Sequence, residues 1–284
     1  MNILELYNIR KKYPEFELRD ISFQIPSGTI MGMIGENGAG KTTLISIILQ
    51  QIGYDQGTVL FEGNDIRTNI QQVKQNIGFV LDECDFPVCF NAGEISDIIK
   101  HIYVRWDHPL FIKYLGFLNV DPKKEIRNMS KGTKNKLLLA TALAHTPKLL
   151  IMDEVTSGLD PVVRFEVLKI LKDYVEKYHT AILFSTHMTS DLDKIADNFV
   201  LIHKGKLRLK SSLQDLDKNY RIVRCNKEEI SRFPNKIAEI EERDYIQLLL
   251  KINSDMEITE RMVKPDLETL MLMFIKGEKN EGVD

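Results

Sequence analysis

The chain has 284 residues, 43% of them hydrophobic and 28% charged, with a formal net charge of -3, a balance that builds one large domain, alone or with an appendage. That charge, without a basic stripe, speaks against nucleic acid as a partner, and no stretch approaches the roughly 20 apolar residues of a membrane span. Cys84, Cys89 and Cys225 include no second Cys/His pair at metal spacing, and no apolar leader precedes the first strand-like segment; ordinary thiols and a cytoplasmic location are expected.

In chain order, Ile3 to Asn8 and Glu17 to Ile25 read as strands, the second through its period-two alternation. They predict an antiparallel sheet flanking the glycine-rich loop at 35–43. Tyr13, between them, either stacks on a nucleotide base or packs on its own turn. The apolar run Ile30 to Ile34 reads as a buried strand leading into Gly35-Glu36-Asn37-Gly38-Ala39-Gly40-Lys41-Thr42-Thr43, which fills the phosphate-loop pattern of Gly, four residues and Gly-Lys-Thr. Such a loop brings backbone N–H groups against phosphate oxygens, and the helix expected from Thr42 to about Gln51 adds the positive end of its dipole. Lys41 is placed to reach the β- and γ-phosphates, Thr42 to put its hydroxyl on Mg²⁺, and Thr43 to bond near the α-phosphate.

Strands are predicted at Thr58 to Phe61 and Ile77 to Leu81, the latter ending in Asp82-Glu83 at an edge where open α/β sheets bind ligands; either acid can meet Mg²⁺ or a water. From Asn91 to His145 the apolar spacing turns helical, which predicts a helical insertion with Tyr103 and Trp106 in its core. Within it, Ser130 is a good N-cap and Gly132 leaves backbone open. This helix start, ringed by Lys131, Lys134 and Lys136, is either a second anion site or a capped helix with a solvated basic face.

Lys148 to Glu154 reads as a buried parallel strand closed by two carboxylates. Asp153 suits Mg²⁺ through water, and Glu154 can take a proton from an attacking water. The turn Thr156 to Pro161 leads into an amphipathic helix from Val162 to Lys177. Thr180 to Ser185 is the next strand, with Thr186-His187 at its end, where an imidazole can bond a γ-phosphate. Asn198 to His203 and Lys206 to Lys210 form a hairpin around Lys204-Gly205. From about Ser211 the pattern changes to a small α+β appendage ending in a helix from Asp266 to Lys276, and the charged tail Lys276 to Asp284 is expected to fray.

Assembled, these motifs resemble the ATP-binding subunit of an ABC transporter over residues 2 to 210. The resemblance implies a P-loop NTPase core: a mostly parallel α/β sheet with flanking helices, an N-terminal antiparallel β subdomain, and a helical subdomain inserted at about 84 to 146. A C-terminal accessory region, 211 to 284, completes the chain. It makes Tyr13 the aromatic that stacks on adenine, Gly35 to Thr43 Walker A, and Leu149 to Asp153 Walker B with Glu154 as catalytic carboxylate. Asp160 falls in the D-loop and His187 is the switch histidine. Lys41, Glu154 and His187 are then the catalytic set, with Asn37, Gly38, Ala39, Gly40, Thr42 and Thr43 on ATP and Thr42, Asp82 and Asp153 around Mg²⁺. Ser130 and Gly132 stand where the family caps ATP held by the opposite subunit, so a second ATPase subunit, identical or related, is implied.

The further partner implied is a separate transmembrane permease, with this chain on the inner face of the cell membrane. Departures fall at Lys131 and Thr133 of the signature, at Asp82 in place of the Q-loop glutamine, and at Val155 in place of the usual proline. Asp82-Glu83, Ser130-Lys131-Gly132 and Ile102 to Asp107 look most like exporters of amphipathic peptides such as phenol-soluble modulins. The rival reading is a soluble ABC-type ATPase on ribosomes or DNA, or a regulatory one. Against the former stand a single phosphate loop and no sustained heptads.

Overall fold

A computed structural model describes residues 1–81, 84–252 and 259–277. The chain opens with β1 (Asn2–Lys12) and β2 (Glu17–Pro26), paired antiparallel with Leu4 opposite Ile25 and Leu6 opposite Phe23. Next come β3 (Ile30–Ile34), α1 (Lys41–Ile48), β4 (Gln56–Phe61), β5 (Asn64–Asp65), α2 (Ile70–Asn76) and β6 (Ile77–Val80). The first helix ends short of the expected Gln51, because Gln50 takes a left-handed φ of 58° that breaks the helical path.

The helical segment comprises α3 (Ala92–Ile99), α4 (His108–Phe117) and α5 (Lys131–Ala144). Each has a side-chain N-cap: Asn91 in a capping box with Glu94, Asp107 on the N–H of Leu110, and Ser130 on that of Thr133. Tyr103 and Trp106 are partly buried against this segment. Tyr103 stacks on His145 at 3.9 Å between ring centroids, and Trp106 donates to Ser96 Oγ at 3.2 Å. The chain continues through β7 (Leu149–Asp153), α6 (Pro161–Tyr178), β8 (Ala181–Ser185), α7 (Thr189–Ile195), β9 (Asn198–His203) and β10 (Lys206–Ser212).

These strands form one sheet in the order β5-β4-β1-β2-β10-β9-β3-β8-β7-β6. The five strands from β9 to β6 run parallel, and the expected antiparallel portion, β5 to β2, joins them through a single bridge from Lys206 to Arg19. The fold is thus the expected α/β P-loop NTPase class. Alternate residues of the central strands enter opposite cores: Ile34, Leu150, Met152, Ile182 and Phe184 pack with the helical segment, while Met33, Ile151 and Leu183 pack with α1 and the antiparallel strands. That double coverage explains why β3, β7 and β8 are buried along their whole length and apolar up to Asp153 and Ser185, which close the latter two.

After β10 come α8 (Leu213–Asn219), β11 (Tyr220–Cys225), a 3-10 turn (Lys227–Arg232), β12 (Lys236–Glu241), β13 (Ile246–Lys251), β14 (Met262–Val263) and α9 (Leu267–Lys276). The four strands make a second antiparallel sheet, ordered β12-β13-β11-β14. Leu267, Leu270 and Met273 of α9 share one apolar cluster with Leu192 and Ile195 of α7, so this region is packed into the larger core. Asp82 and most of the expected frayed tail lie outside the described residues. Among the described residues no helix is long and apolar enough to cross a membrane.

Candidate functional site

The parallel strands end along one edge, and the loop after β3 opens there into a cavity of about 530 Å³. Its lining includes Asn37, Gly38, Gly40, Lys41, Thr42 and Thr43, with Asp153 and Glu154 from the end of β7. The loop conformation depends on Gly40, the N-cap of α1, whose φ is 111°. That φ favours glycine, and a Cβ there would come 2.5 Å from Leu18 Cδ2 and 2.8 Å from Phe16 Cζ, so both side chains would have to shift. Ala39 is buried below this surface, and its carbonyl accepts from the Gly205 N–H at 3.0 Å, which ties the loop to the β9–β10 hairpin.

Lys41 is only 6% exposed. Its Nζ donates to the carbonyls of Gly35 at 2.7 Å and Glu36 at 3.2 Å. Burial lowers its pKa, against an upward pull from the carboxylates of Glu154 and Asp153. Thr42 Oγ1 donates to Asp153 Oδ2 at 3.1 Å. A hydroxyl and a buried carboxylate side by side at the mouth of a phosphate loop form the hard-oxygen set that suits Mg²⁺.

Glu154 occupies a left-handed conformation, φ 55°, held by its N–H on the Ser185 carbonyl and its carbonyl on the Ser157 N–H. This turn carries the carboxylate across to the end of β8. There Oε1 accepts from the backbone N–H of His187 at 3.0 Å, and Oε2 lies 2.6 Å from His187 Nδ1. A left-handed residue with a side chain costs about 1–2 kcal/mol, and here it aims the acid along the cavity mouth.

The remaining expected residues lie elsewhere. Tyr13 does not line the cavity; it is 37% exposed on the β1–β2 turn, with Lys11 Nζ 5.6 Å from its ring centroid. Phe16, from the same turn, does line it. Ser130 caps α5, and Gly132 faces the Gly158-Leu159 turn. Asp160 caps α6 through the N–H groups of Val162 and Val163 at 3.1 Å. None of Ser130, Gly132 and Asp160 lines the phosphate-loop cavity of its own chain.

A parallel sheet feeding a phosphate loop, with paired acids and a histidine at the next strand ends, defines a P-loop ATPase. A profile of the family described as ABC transporter matches residues 18–157. The chain is 32% identical over 203 residues to the ABC transporter ATP-binding protein YtrB of Bacillus subtilis (strain 168), covering 72% of this chain and 69% of that one. It is 30% identical over 222 residues to the bacitracin transport ATP-binding protein BcrA of Enterococcus faecalis, covering 77% and 72%. A solved ATP-binding subunit of an ABC transporter superposes with a TM-score of 0.70 over 76% of this chain and 92% of that one; at 23% identity this likeness concerns the fold. The chain belongs to the ABC transporter family as an ATP-binding, ATP-hydrolysing subunit.

Proposed function

We propose that this chain powers an exporter by hydrolysing MgATP in sites completed by a second ATPase subunit. The observation that carries the reading is Glu154, which lines the phosphate-loop cavity and pairs with His187. Glu154 orients and deprotonates the attacking water, while His187 and Lys41 stabilise charge on the transferring phosphoryl group. Thr42 and Asp153 would hold Mg²⁺, which neutralises charge on the β- and γ-phosphate oxygens. Asn37, Gly38, Ala39, Gly40 and Thr43 cradle the phosphates by backbone N–H groups and hydroxyl. Tyr13 and Phe16 share one turn beside the cavity and are the candidates for stacking on the base.

Ser130 and Gly132, at the start of a capped helix and away from their own chain's cavity, cap the γ-phosphate of the opposite subunit, with Asp160 beside them. That subunit is a second copy or a relative. An apolar groove lined by Leu81, Phe86, Tyr103 and Leu138 lies between the sheet edge and the helical insertion, 84 to 146, with Phe79 and Ile102 exposed beside it. It receives the membrane permease, which places this chain at the inner face of the membrane. A relative named for bacitracin transport, together with the Ser130-Lys131-Gly132 and Ile102 to Asp107 stretches, favours an amphipathic peptide-like cargo leaving the cell.

The test is Glu154→Gln in the full chain. The variant should bind ATP with near wild-type affinity, lower kcat about a thousandfold or more, and accumulate as a nucleotide-bound pair of ATPase subunits. Normal turnover in that variant removes Glu154 from the role. Co-isolation with a polytopic membrane protein from gently solubilised cells supports the exporter reading; recovery with ribosomes or DNA alone refutes it.

A further inference from the structure

The most buried ion pair among the described residues stands behind the site. Arg164 Nε donates to Asp191 Oδ1 at 2.5 Å, with the arginine side chain 17% exposed and the aspartate 0%. The same guanidinium donates to Ser190 Oγ at 2.9 Å. Taking two charges out of water consumes most of what their attraction returns, so such a pair contributes little net stability. What it contributes is direction. A planar guanidinium holding two neighbouring acceptors fixes the distance and angle between the elements that carry them.

Those elements are the helices that follow the Glu154 turn and His187. Arg164 lies one turn into α6, just past Asp160, which caps that helix. Asp191 lies in the first turn of α7, just past His187. The rest of α7 is seated by other means. Leu192 packs so closely over Gly32 of β3 that a Cβ on that glycine would come 2.7 Å from its Cδ1, and α9 offers the Leu267 N–H to Asp193 at 3.4 Å.

We propose that Arg164 and Asp191 are positioning residues for hydrolysis: the pair locks the first turn of α7 against α6 and so holds His187 where its imidazole and its backbone N–H both meet Glu154. Because α6 is capped by Asp160, the pair also ties the position of His187 to that of the turn beside Ser130 and Gly132. A movement of one helix start is passed to the other through a rigid polar link. The inference rests on the proposed roles of Glu154 and His187 and adds the two residues that set their geometry.

The experiment is a double-mutant cycle on ATP turnover by the full chain. Arg164→Met with Asp191→Leu replaces the pair by apolar side chains, a change that buried ion pairs often tolerate without loss of stability. With His187 displaced by an ångström or so, kcat should fall roughly ten- to a hundredfold while KM for ATP stays within about twofold. The deciding readout is His187→Ala added to each background. In wild type it should cause a large loss; in the apolar-pair variant it should cause almost none, because the histidine is already out of place.

Wild-type turnover in the apolar-pair variant, or a full additional loss on adding His187→Ala, overturns the proposal. If the double variant does not fold, Asp191→Asn enters the same cycle and decides by the same criterion. Should wild type show no ATP turnover at all, the reading of Glu154 and His187 fails and the proposal falls with it. Turnover in wild type with an additive cycle sinks the proposal alone.

Discussion

His145, at the end of α5, is 1% exposed, and among the described residues neither ring nitrogen has a partner in hydrogen-bond geometry. Burial pushes its pKa from 6.5 down to about 4, against a smaller upward pull from the nearby Thr141 and Ile77 backbone. Between those two values the unfolded chain binds a proton that the folded chain refuses. The stabilising contribution is therefore complete above about pH 6.5 and is lost as pH falls toward 4.

The shift corresponds to about 3 kcal/mol in all, of which roughly 2 kcal/mol is lost by about pH 5. Carboxylates contribute a pH dependence of their own, so the informative quantity is the difference from His145→Phe. That variant keeps an aromatic ring against Tyr103, has nothing to titrate, and borders a cavity that gives the larger ring room. Urea unfolding followed by circular dichroism at pH 7 and pH 5 should show the wild-type midpoint falling by roughly 1 M more than the variant's. Equal losses in the two proteins would mean that His145 is already protonated, or already solvated, in the folded state.

Gly40→Ala should weaken ATP binding roughly ten- to a hundredfold by isothermal titration, since the left-handed backbone and the contacts with Leu18 and Phe16 together impose about 1–3 kcal/mol of strain on the loop. Phe16→Ala should raise the Kd for ATP about five- to a hundredfold while leaving inorganic triphosphate binding unchanged, as loss of base stacking requires; an effect confined to Tyr13→Ala would return the base to Tyr13. Tyr174→Phe deletes a buried hydrogen bond from the hydroxyl to the Leu143 carbonyl at 2.9 Å and should lower unfolding free energy by about 1–2 kcal/mol without altering ATP affinity.

Most of the fold was legible because its central strands are covered on both faces and so read as unbroken apolar runs, as at Leu149 to Met152. The short helices were not. In α2 only Val73 is buried, and α7 is a single pair of turns whose apolar contribution is Leu192 and Ile195, too little to establish a period. β12 leaves little trace because Lys236, Ile237, Glu239 and Ile240 are all half-buried around Ala238, so its two faces lack the contrast that marks a strand.

At the site, Gly35 to Thr43 was readable because a phosphate loop is continuous in sequence. Phe16 was not, since nothing local marks which aromatic of a turn will face a loop beyond the next strand. The Arg164–Asp191 contact joins two helices and has no local motif at all. The left-handed turn at Glu154 leaves no trace in composition either, because any residue can be forced into it by the hydrogen bonds on both sides.

The apolar cluster shared by α9 and α7 makes the C-terminal region part of the motor's own keel. A cut after β10 would strip cover from Leu192 and Ile195, the residues that seat the helix behind His187. Heat or a lost side chain in the last sheet is then felt as looseness at the strand ends where phosphate chemistry happens. Loss of α9 would therefore loosen α7 directly, so wear at the tail reaches the engine without any signal having to be sent.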